Sequence, residues 1–258
     1  MIHLFALLSL LLCGVCYTGF QNSSHFRNTG SRRSLLLLVF GSALLLRLLL
    51  AYTTHGFSND IACFAAWADR IFTLGPGQFY SAEMFTDYPP GFMYVLYLIG
   101  ALRSLLQIPY YSDLHILLLK LPAILCDIAC GFLLYREAVK RLHFSDLQGI
   151  FAASAYLFQP AVILNSSCWG QVDSVYTLMI ILMCLFLMKG NLLPAYAVYG
   201  LGVLLKPQML IFTPVLLTGI WDHVFLQDFS WRKFFNLSES SLRLSKTSST
   251  TIRSLPAQ

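Results

Sequence analysis

Charged side chains are scarce in this chain of 258 residues, because Asp, Glu, Lys and Arg together make up only 11% of it. A soluble domain averages about 25% charged residues. Hydrophobic residues account for 57% of the chain, the mean hydropathy is +0.67, and several apolar runs approach the roughly 20 residues that cross a bilayer. The composition excludes an ordinary soluble domain and indicates an integral membrane protein.

Other absences narrow the class of protein further. The net charge of +5 comes from Lys and Arg in short segments between apolar runs. The chain has no basic stripe interleaved with aromatic residues, so we expect no nucleic-acid partner. It also has no nucleotide-binding loop. The seven cysteines are scattered, and the closely spaced Cys13 and Cys16 have no His or carboxylate beside them, so no metal site or cofactor is evident.

The apolar runs predict an all-α fold, a polytopic bundle of transmembrane helices, in three regions. Residues 1–33 are expected to form an uncleaved hydrophobic helix and a basic cytoplasmic linker. Residues 34–221 are expected to form the membrane domain. Residues 222–258 are Ser/Thr-rich, contain no further apolar run and are predicted to be a disordered cytoplasmic tail.

The distribution of charge predicts the order of crossings within the membrane domain. A first span at 34–52 is expected to run outward, and the acidic balance of residues 53–91 places that segment outside as a structured loop with short helices. Residues 92–106 are predicted to lie in the outer interface, because a crossing there would put the basic loop 136–148 outside. The remaining crossings are predicted at 115–135, 149–165, 174–188, 192–205 and 208–220, with a break at Lys206 and Pro207.

This topology brings the polar motifs to one external face. A carboxylate or a lysine at membrane depth is costly unless it is paired or functional, so their convergence suggests a site. Transfer of a sugar from a polyprenyl phosphate carrier suits this location. Asp60 is the candidate general base for an acceptor hydroxyl, and Lys206 is the candidate contact for the departing phosphate. The candidate substrate-binding residues are Asp87, Tyr88, Trp169, Gln171, Asp173, Lys206 and Gln208.

Four segments resemble the GT-C superfamily of membrane glycosyltransferases over about residues 34–221. They are SND at 58–60, DYPPG at 87–91, NSSCWGQVDS at 165–174 and LLKPQMLIFTP at 204–214. The sequence looks like the bacterial relatives of the glycosylphosphatidylinositol mannosyltransferase and is similar to the glucosyltransferases that use dolichyl-phosphate glucose. The resemblance implies that Asp60 is the catalytic base and that the DYPP stretch leads into a juxtamembrane helix.

The resemblance also implies the partners and the location. It points to transfer of a hexose such as mannose from a polyprenyl phosphate donor to a glycan or glycolipid acceptor, within membrane lipid. The membrane would be the cell membrane in a bacterium and the endoplasmic reticulum membrane in a eukaryote. Members of the superfamily usually carry several more spans after the Lys-Gln motif, which help hold the donor. We therefore expect this chain to be a truncated form, the N-terminal half of such a fold.

Each candidate residue also has a plainer structural interpretation. Asp60 could cap the helix that follows it, and Asp87 could only stabilise the turn formed by the Pro-Pro-Gly sequence. Asp173 could be favoured by a helix dipole, and Lys206 could extend to lipid headgroups. A metal ion shared by the carboxylates of Asp60 and Asp87 is a further alternative.

Two other functional classes stay open on the sequence. A transporter or flippase component would place charged residues near the midplane, in broken helices of an inverted repeat. Only Lys120 and Asp127 fit that depth, no clear repeat is found, and the two residues are predicted to pair with each other inside the bundle. The second alternative is an inactive fragment with a scaffold role.

Overall fold

The computed structural model describes residues 29–81 and 85–221, and all regular secondary structure within these ranges is helical. The all-α prediction is therefore confirmed for this part of the chain, whereas the predicted N-terminal hydrophobic helix and the predicted tail at 222–258 lie outside it. The α-helices are α1 (Thr29–Thr53), α2 (Ser58–Leu74), α3 (Pro90–Leu105), α4 (Asp113–Lys140), α5 (Asp146–Leu157), α6 (Pro160–Ile163), α7 (Asp173–Met188), α8 (Leu192–Leu205) and α9 (Thr213–Trp221). A π-helical turn, Leu164–Trp169, follows α6, and 3-10 turns lie at Pro76–Gln78 and Pro207–Phe212.

Two helices are long and apolar enough to cross a membrane. They are Arg32–Thr53 within α1 and Asp113–Lys140, which is α4, and α5 with the segment Pro160–Trp169 forms a third candidate that is bent by 51°. The 16 residues of α7 and the 14 of α8 fall short of the roughly 20 residues that span the hydrocarbon core. A multi-pass topology that includes α7 and α8 stays a prediction.

Side-chain contacts show which helix ends lie together. Arg32 near the start of α1 contacts Asp146 at the start of α5, with 3.4 Å between Nη1 and Oδ2. Arg141, just after α4, donates to the carbonyl of Met188 at the end of α7 over 2.7 Å. The opposite end therefore holds the end of α1, the start of α4, the π turn and the start of α7. These contacts bring the polar motifs of the described residues to one end of the helices.

The segment 149–165, predicted as a crossing, is not one continuous helix. The helix stops at Leu157 and restarts at Pro160, whose preceding residue Gln159 has the extended ψ of 123°. Proline has no N–H and disfavours helical backbone in the residue before it, so the chain bends there. The break also leaves the carbonyl of Leu157 without a helical donor, and Arg47 donates to this carbonyl.

Two predicted loop and helix boundaries also differ from the structure. The loop predicted at 136–148 is shorter, because α4 continues to Lys140 and a Ser145–Gln148 capping box starts α5. The capping box satisfies the free N–H groups of the first turn. The helix predicted at 208–220 begins as the 3-10 turn Pro207–Phe212 and becomes α-helical at Thr213.

The predicted pairing of Lys120 with Asp127 is wrong. Lys120 Nζ donates to the carbonyls of Ala51 and Thr54, over 3.2 and 2.6 Å. Asp127 accepts instead from Arg47 Nε over 3.3 Å, and both of these side chains are fully buried. Lys120 and Asp127 are about 10 Å apart along the helix axis, because they are seven residues apart. Each therefore contacts a different turn at the end of α1.

The segment 53–91 contains short helices, as predicted, and α2 packs with α3 and with parts of α4 and α7 in one apolar cluster. Phe64 and Trp67 of α2 pack against Phe92 and Tyr88, with ring centroids 5.3 to 5.8 Å apart. An ion pair between Asp69 and Arg103 joins the C-terminal parts of α2 and α3. The interfacial position predicted for 92–106, now α3, stays a prediction.

Candidate functional site

Asp60 lies in the first turn of α2, but it does not act as the helix cap. The residue before the helix is Phe57, and no side chain caps it. The carboxylate of Asp60 is instead held from outside its own helix, because Oδ2 accepts hydrogen bonds from Trp169 Nε1 over 3.2 Å and from Gln171 Nε2. Two side-chain donors from another segment therefore fix the position of this carboxylate at the start of α2.

Asp173 and Lys206 form an ion pair beside this carboxylate. Lys206 Nζ donates to Asp173 Oδ1, while Asp173 Oδ2 accepts from Asn165 Nδ2 over 3.0 Å. The side chain of Lys206 is only 11% exposed, and its Nζ lies 5.8 Å from the ring centroid of Tyr88 and 5.6 Å from that of Tyr176. The lysine is therefore held in an aromatic pocket and does not extend freely to solvent.

The backbone of the loop after the π turn fits closely against the start of α2. Gly170 has the left-handed φ of 89° that ends the turn, and the N–H of Phe57 donates to the carbonyl of Trp169 over 2.9 Å. A Cβ on Gly56 would lie 2.7 Å from that carbonyl oxygen. Glycine at both positions permits the contact that brings Trp169 and Gln171 to Asp60.

The DYPPG segment joins the site through Tyr88 and Gly91. Burial raises the pKa of the Tyr88 hydroxyl well above its usual value, and the charges of Asp173, Asp87 and Asp60 raise it further. A Cβ on Gly91 would lie 2.6 Å from the carbonyl oxygen of Leu204. Because Leu204 lies two residues before Lys206, this close approach of α3 to α8 places the lysine beside the tyrosine ring.

The structure thus brings six of the predicted site residues together and leaves two at the margin. The six are Asp60, Tyr88, Trp169, Gln171, Asp173 and Lys206. Asp87 and Gln208 are both exposed. The charge of Asp87 still reaches the Cys63 thiol, whose pKa is raised by burial first and then by Asp87 and Asp60. Among the described residues, no hydrogen bond ties Gln208 to the cluster.

Sequence reasoning missed two members of the site. Asn165 holds Asp173 and stands at the start of the quoted NSSCWGQVDS segment, so its amide was a visible signal. Tyr176 flanks Lys206 and lies three residues after Asp173, on the same face of α7. A helical projection of residues 173–176 would have placed them together.

An open cavity of about 540 Å³ includes in its lining Trp169 and Asn165, the residues that donate to Asp60 and Asp173. Its lining residues are Gly56, Phe57, Ala161, Leu164, Asn165, Cys168 and Trp169. Trp169 and Asn165 belong both to this lining and to the hydrogen bonds of the site. Within residues 29–81 and 85–221, no three His, Cys, Asp or Glu side chains are grouped as a metal site would need.

No protein-family model matches this chain, and no curated protein matches it in sequence. The resemblance to the GT-C glycosyltransferases therefore rests on the four quoted segments alone. It remains a prediction, and so do the roles that it implies for the residues of the site.

Proposed function

We propose that this chain is a multi-pass membrane glycosyltransferase of the GT-C type. It moves a hexose such as mannose from a polyprenyl phosphate donor to a glycan or glycolipid acceptor on the extracytoplasmic face. The observation that carries the proposal is that the carboxylate of Asp60 and the Asp173–Lys206 pair both lie near Tyr88. Residues from four segments that are far apart in sequence form this cluster at one end of the helices, where a lipid phosphate would lie.

The proposed reaction is a single inverting displacement. The acceptor oxygen attacks the anomeric carbon while Asp60 takes the hydroxyl proton, and the bond from that carbon to the phosphate oxygen breaks. The polyprenyl phosphate leaves with an additional negative charge. Lys206 stabilises that charge, as cations aimed at a developing anion commonly do.

The contacts of the resting site fit these roles. Trp169 and Gln171 hold the carboxylate of Asp60 in a fixed orientation through Oδ2. The contact with Asp173 fixes Lys206 beside the two tyrosine rings. A donor phosphate that enters the site takes over part of this contact with Lys206 and adds a second anion to it.

The test is transfer of radiolabelled sugar from polyprenyl phosphate donors in membranes that contain the chain. We expect Asp60→Asn to lower the rate by a factor of about 10² to 10⁴, the usual contribution of a general base. Asn keeps the size of the side chain but cannot take the proton. Lys206→Met should lower the rate as well, because the leaving phosphate loses its cation.

The matched control is Asp146→Asn, a carboxylate at the opposite end of the bundle that pairs with Arg32. It should retain full transfer at equal expression. Transfer that survives Asp60→Asn would remove the proposed base. Background rates in all samples would show that this 258-residue form is inactive, which is the scaffold alternative.

A further inference from the structure

Positive charge at the end of the helices opposite the candidate site is not balanced by carboxylates. Asp146 and Glu137 are the carboxylates described at this end, and each is already paired with an arginine. Lys140, Arg141 and Lys189 have no acidic partner within residues 29–81 and 85–221. Like charges in one place repel one another, so an anion that comes between them is favoured.

One hydrogen bond brings these three cations together. Arg141 Nη2 donates to the carbonyl of Met188 over 2.7 Å, so the ends of α4 and α7 lie side by side. Lys140 and Lys189 are the sequence neighbours of the two residues that form this bond, and both lysines are exposed. A guanidinium offers five N–H donors, and Nη1 of Arg141 has no acceptor in the described part of the chain. The end of α4 therefore has donors that the protein itself does not use.

The helix faces that lead to these cations are apolar and exposed. Phe132, Arg136 and Lys140 follow one another at a spacing of four residues, so they lie on one face of α4, and Phe132 is 48% exposed. Met188, which precedes Lys189 at the end of α7, is 56% exposed. A surface that is apolar along the helices and cationic at their ends fits a phospholipid, because its chains lie beside the apolar residues and its phosphate lies at the helix ends.

We propose that the ends of α4 and α7 bind the head group of an anionic phospholipid, whose phosphate lies between Arg141, Lys140 and Lys189. Phosphate fits this set because a guanidinium donates two parallel hydrogen bonds to it and the ammonium groups add charge. The proposal is independent of the proposed function, because it involves no residue of the candidate site. The alternative is that the three cations only orient the chain in the membrane, as the positive-inside rule describes, and hold no lipid at a defined place.

Binding of dioleoyl phosphatidylglycerol to the whole chain in dodecyl maltoside micelles tests the proposal without any need for turnover. Native mass spectrometry gives the number of lipids bound and the affinity for each. Dioleoyl phosphatidylcholine is the control that has the same chains and a phosphate but no net charge. Glycerol phosphate is the control that has a phosphate and no chains, so it distinguishes a lipid site from a site for free phosphate.

Lys140→Gln combined with Lys189→Gln is the variant to use. The structure gives these two exposed side chains no hydrogen bond or ion pair with another described residue. The unfolding temperature in lipid-free micelles should therefore equal that of the wild type, and Arg141 keeps its bond between the helix ends. The matched control is Arg243→Gln combined with Lys246→Gln, which removes the same charge from a part of the chain outside the described residues.

We expect phosphatidylglycerol to bind in a saturable manner and phosphatidylcholine to bind about tenfold more weakly. The lysine variant should lose affinity for phosphatidylglycerol by a factor of roughly 10 to 30, because each cation near an anionic head group contributes a factor of about five. The matched control should bind as the wild type does. Equal binding of phosphatidylcholine, or unchanged binding by the lysine variant, would overturn the proposal. Equal losses in the two variants would show attraction by total charge alone, and displacement of the lipid by equimolar glycerol phosphate would show a site for free phosphate; either result would overturn the lipid site.

Discussion

Tyr88 and Lys120 show at the scale of single residues how the site depends on groups that are held away from water. Tyr88 lies half-buried among three carboxylates, and Lys120 is fully buried under the loop that carries Trp169. Neither environment could be derived from the neighbouring sequence alone, because every partner except Asp87 comes from a distant segment.

Tyr88 predicts a loss of stability at alkaline pH. Burial, and then the nearby charges of Asp173, Asp87 and Asp60, raise the pKa of Tyr88 in the folded protein, whereas an unfolded tyrosine titrates near 10. Above about pH 10 the unfolded state binds fewer protons than the folded state, so the free energy of unfolding falls as the pH rises. Below about pH 10 Tyr88 is protonated in both states, so its contribution to the free energy of unfolding is fully present.

Thermal unfolding in detergent between pH 8 and 11 checks this prediction. The unfolding temperature of the wild type should fall more steeply with pH than that of Tyr88→Phe. The pKa values of Tyr80 and Tyr110 are also raised, chiefly by burial, but both residues remain in the variant. The difference between the two curves therefore isolates Tyr88, and parallel curves would contradict the prediction.

Lys120→Met should destabilise the protein although Lys120 is outside the site. The substitution keeps a long apolar side chain but removes the donor that serves the carbonyls of Ala51 and Thr54 and the Thr54 hydroxyl. A buried acceptor without a partner costs about 1–3 kcal/mol. Thr54 also donates to the carbonyl of Ser167 over 3.3 Å, so the loss loosens the end of α1 against the π turn.

The measurement is the unfolding temperature of Lys120→Met against that of Lys140→Met. Lys140 is an exposed lysine at the end of the same helix, so its loss should change the unfolding temperature little. Equal unfolding temperatures for the two variants would mean that the end of α1 does not depend on the buried ammonium group.

At the scale of helices, the sequence allowed most boundaries to be predicted within a few residues. Apolar length located α1 and α4, and the chemistry of Pro207 located the break after α8. The break at Pro160 was missed, because the apolar run continues across it and a proline alone does not distinguish a bend from a stop. The π turn was missed too, because its hydrogen-bond register depends on contacts with α1 and α4.

The candidate site was predictable in its members but not in its contacts. The motifs located Asp60, Trp169, Gln171 and Lys206, because polar groups at the ends of apolar helices are conspicuous. The pairing of Lys206 with Asp173 could not be read from spacing, since the two residues are 33 positions apart and a helical hairpin separates them. Partners in different helices are fixed by packing, which a single sequence does not reveal.

The close approach of α3 to α8 predicts a strict requirement for glycine at position 91. Gly91→Ala should destabilise the protein by about 1–3 kcal/mol, the usual cost of overpacking, because a Cβ would meet the backbone of Leu204 and not a flexible side chain. Relief of this clash would move α8 and Lys206 away from Tyr88. Sugar transfer should therefore fall as well.

Gly200→Ala is the matched control for this substitution. Gly200 lies in α8 with nothing within 4 Å of its added Cβ, and alanine is the better helix former by roughly 1 kcal/mol. Its unfolding temperature should equal or exceed that of the wild type. An unchanged unfolding temperature for Gly91→Ala would show that α3 and α8 can separate freely.

At the scale of the whole molecule, one buried polar network joins α1, α4, α5 and the π turn. Asp127 accepts from Arg47 over 3.3 Å, from Ser166 over 2.6 Å and from Tyr156 over 3.2 Å. Arg47 also donates to the carbonyl of Leu157 over 2.7 Å, at the break between α5 and α6. The network thus fixes the bent segment whose next residues, Asn165 and Trp169, hold the carboxylates of the site.

A double-mutant cycle on Arg47 and Asp127 tests whether this network acts as a unit. Asp127→Asn leaves a buried guanidinium without its anion, and Arg47→Met leaves a buried carboxylate without its cation. Removal of one partner of a buried pair typically costs about 3–5 kcal/mol. The double variant leaves neither charge uncompensated, so its loss should be well below the sum of the two single losses.

The free energies of unfolding of the wild type, the two single variants and the double variant give the coupling energy between Arg47 and Asp127. Asp113→Asn is the control. Asp113 belongs to an exposed pair with His55, whose side chains are 53% and 81% exposed, and such pairs contribute about 0–1 kcal/mol. Additive losses in the cycle would mean that the two charges act independently. Strong coupling would mean that the bundle and the bent segment unfold together. Variants with a weakened network would then lose sugar transfer in proportion to stability, because Trp169 and Asn165 would no longer be held at Asp60 and Asp173.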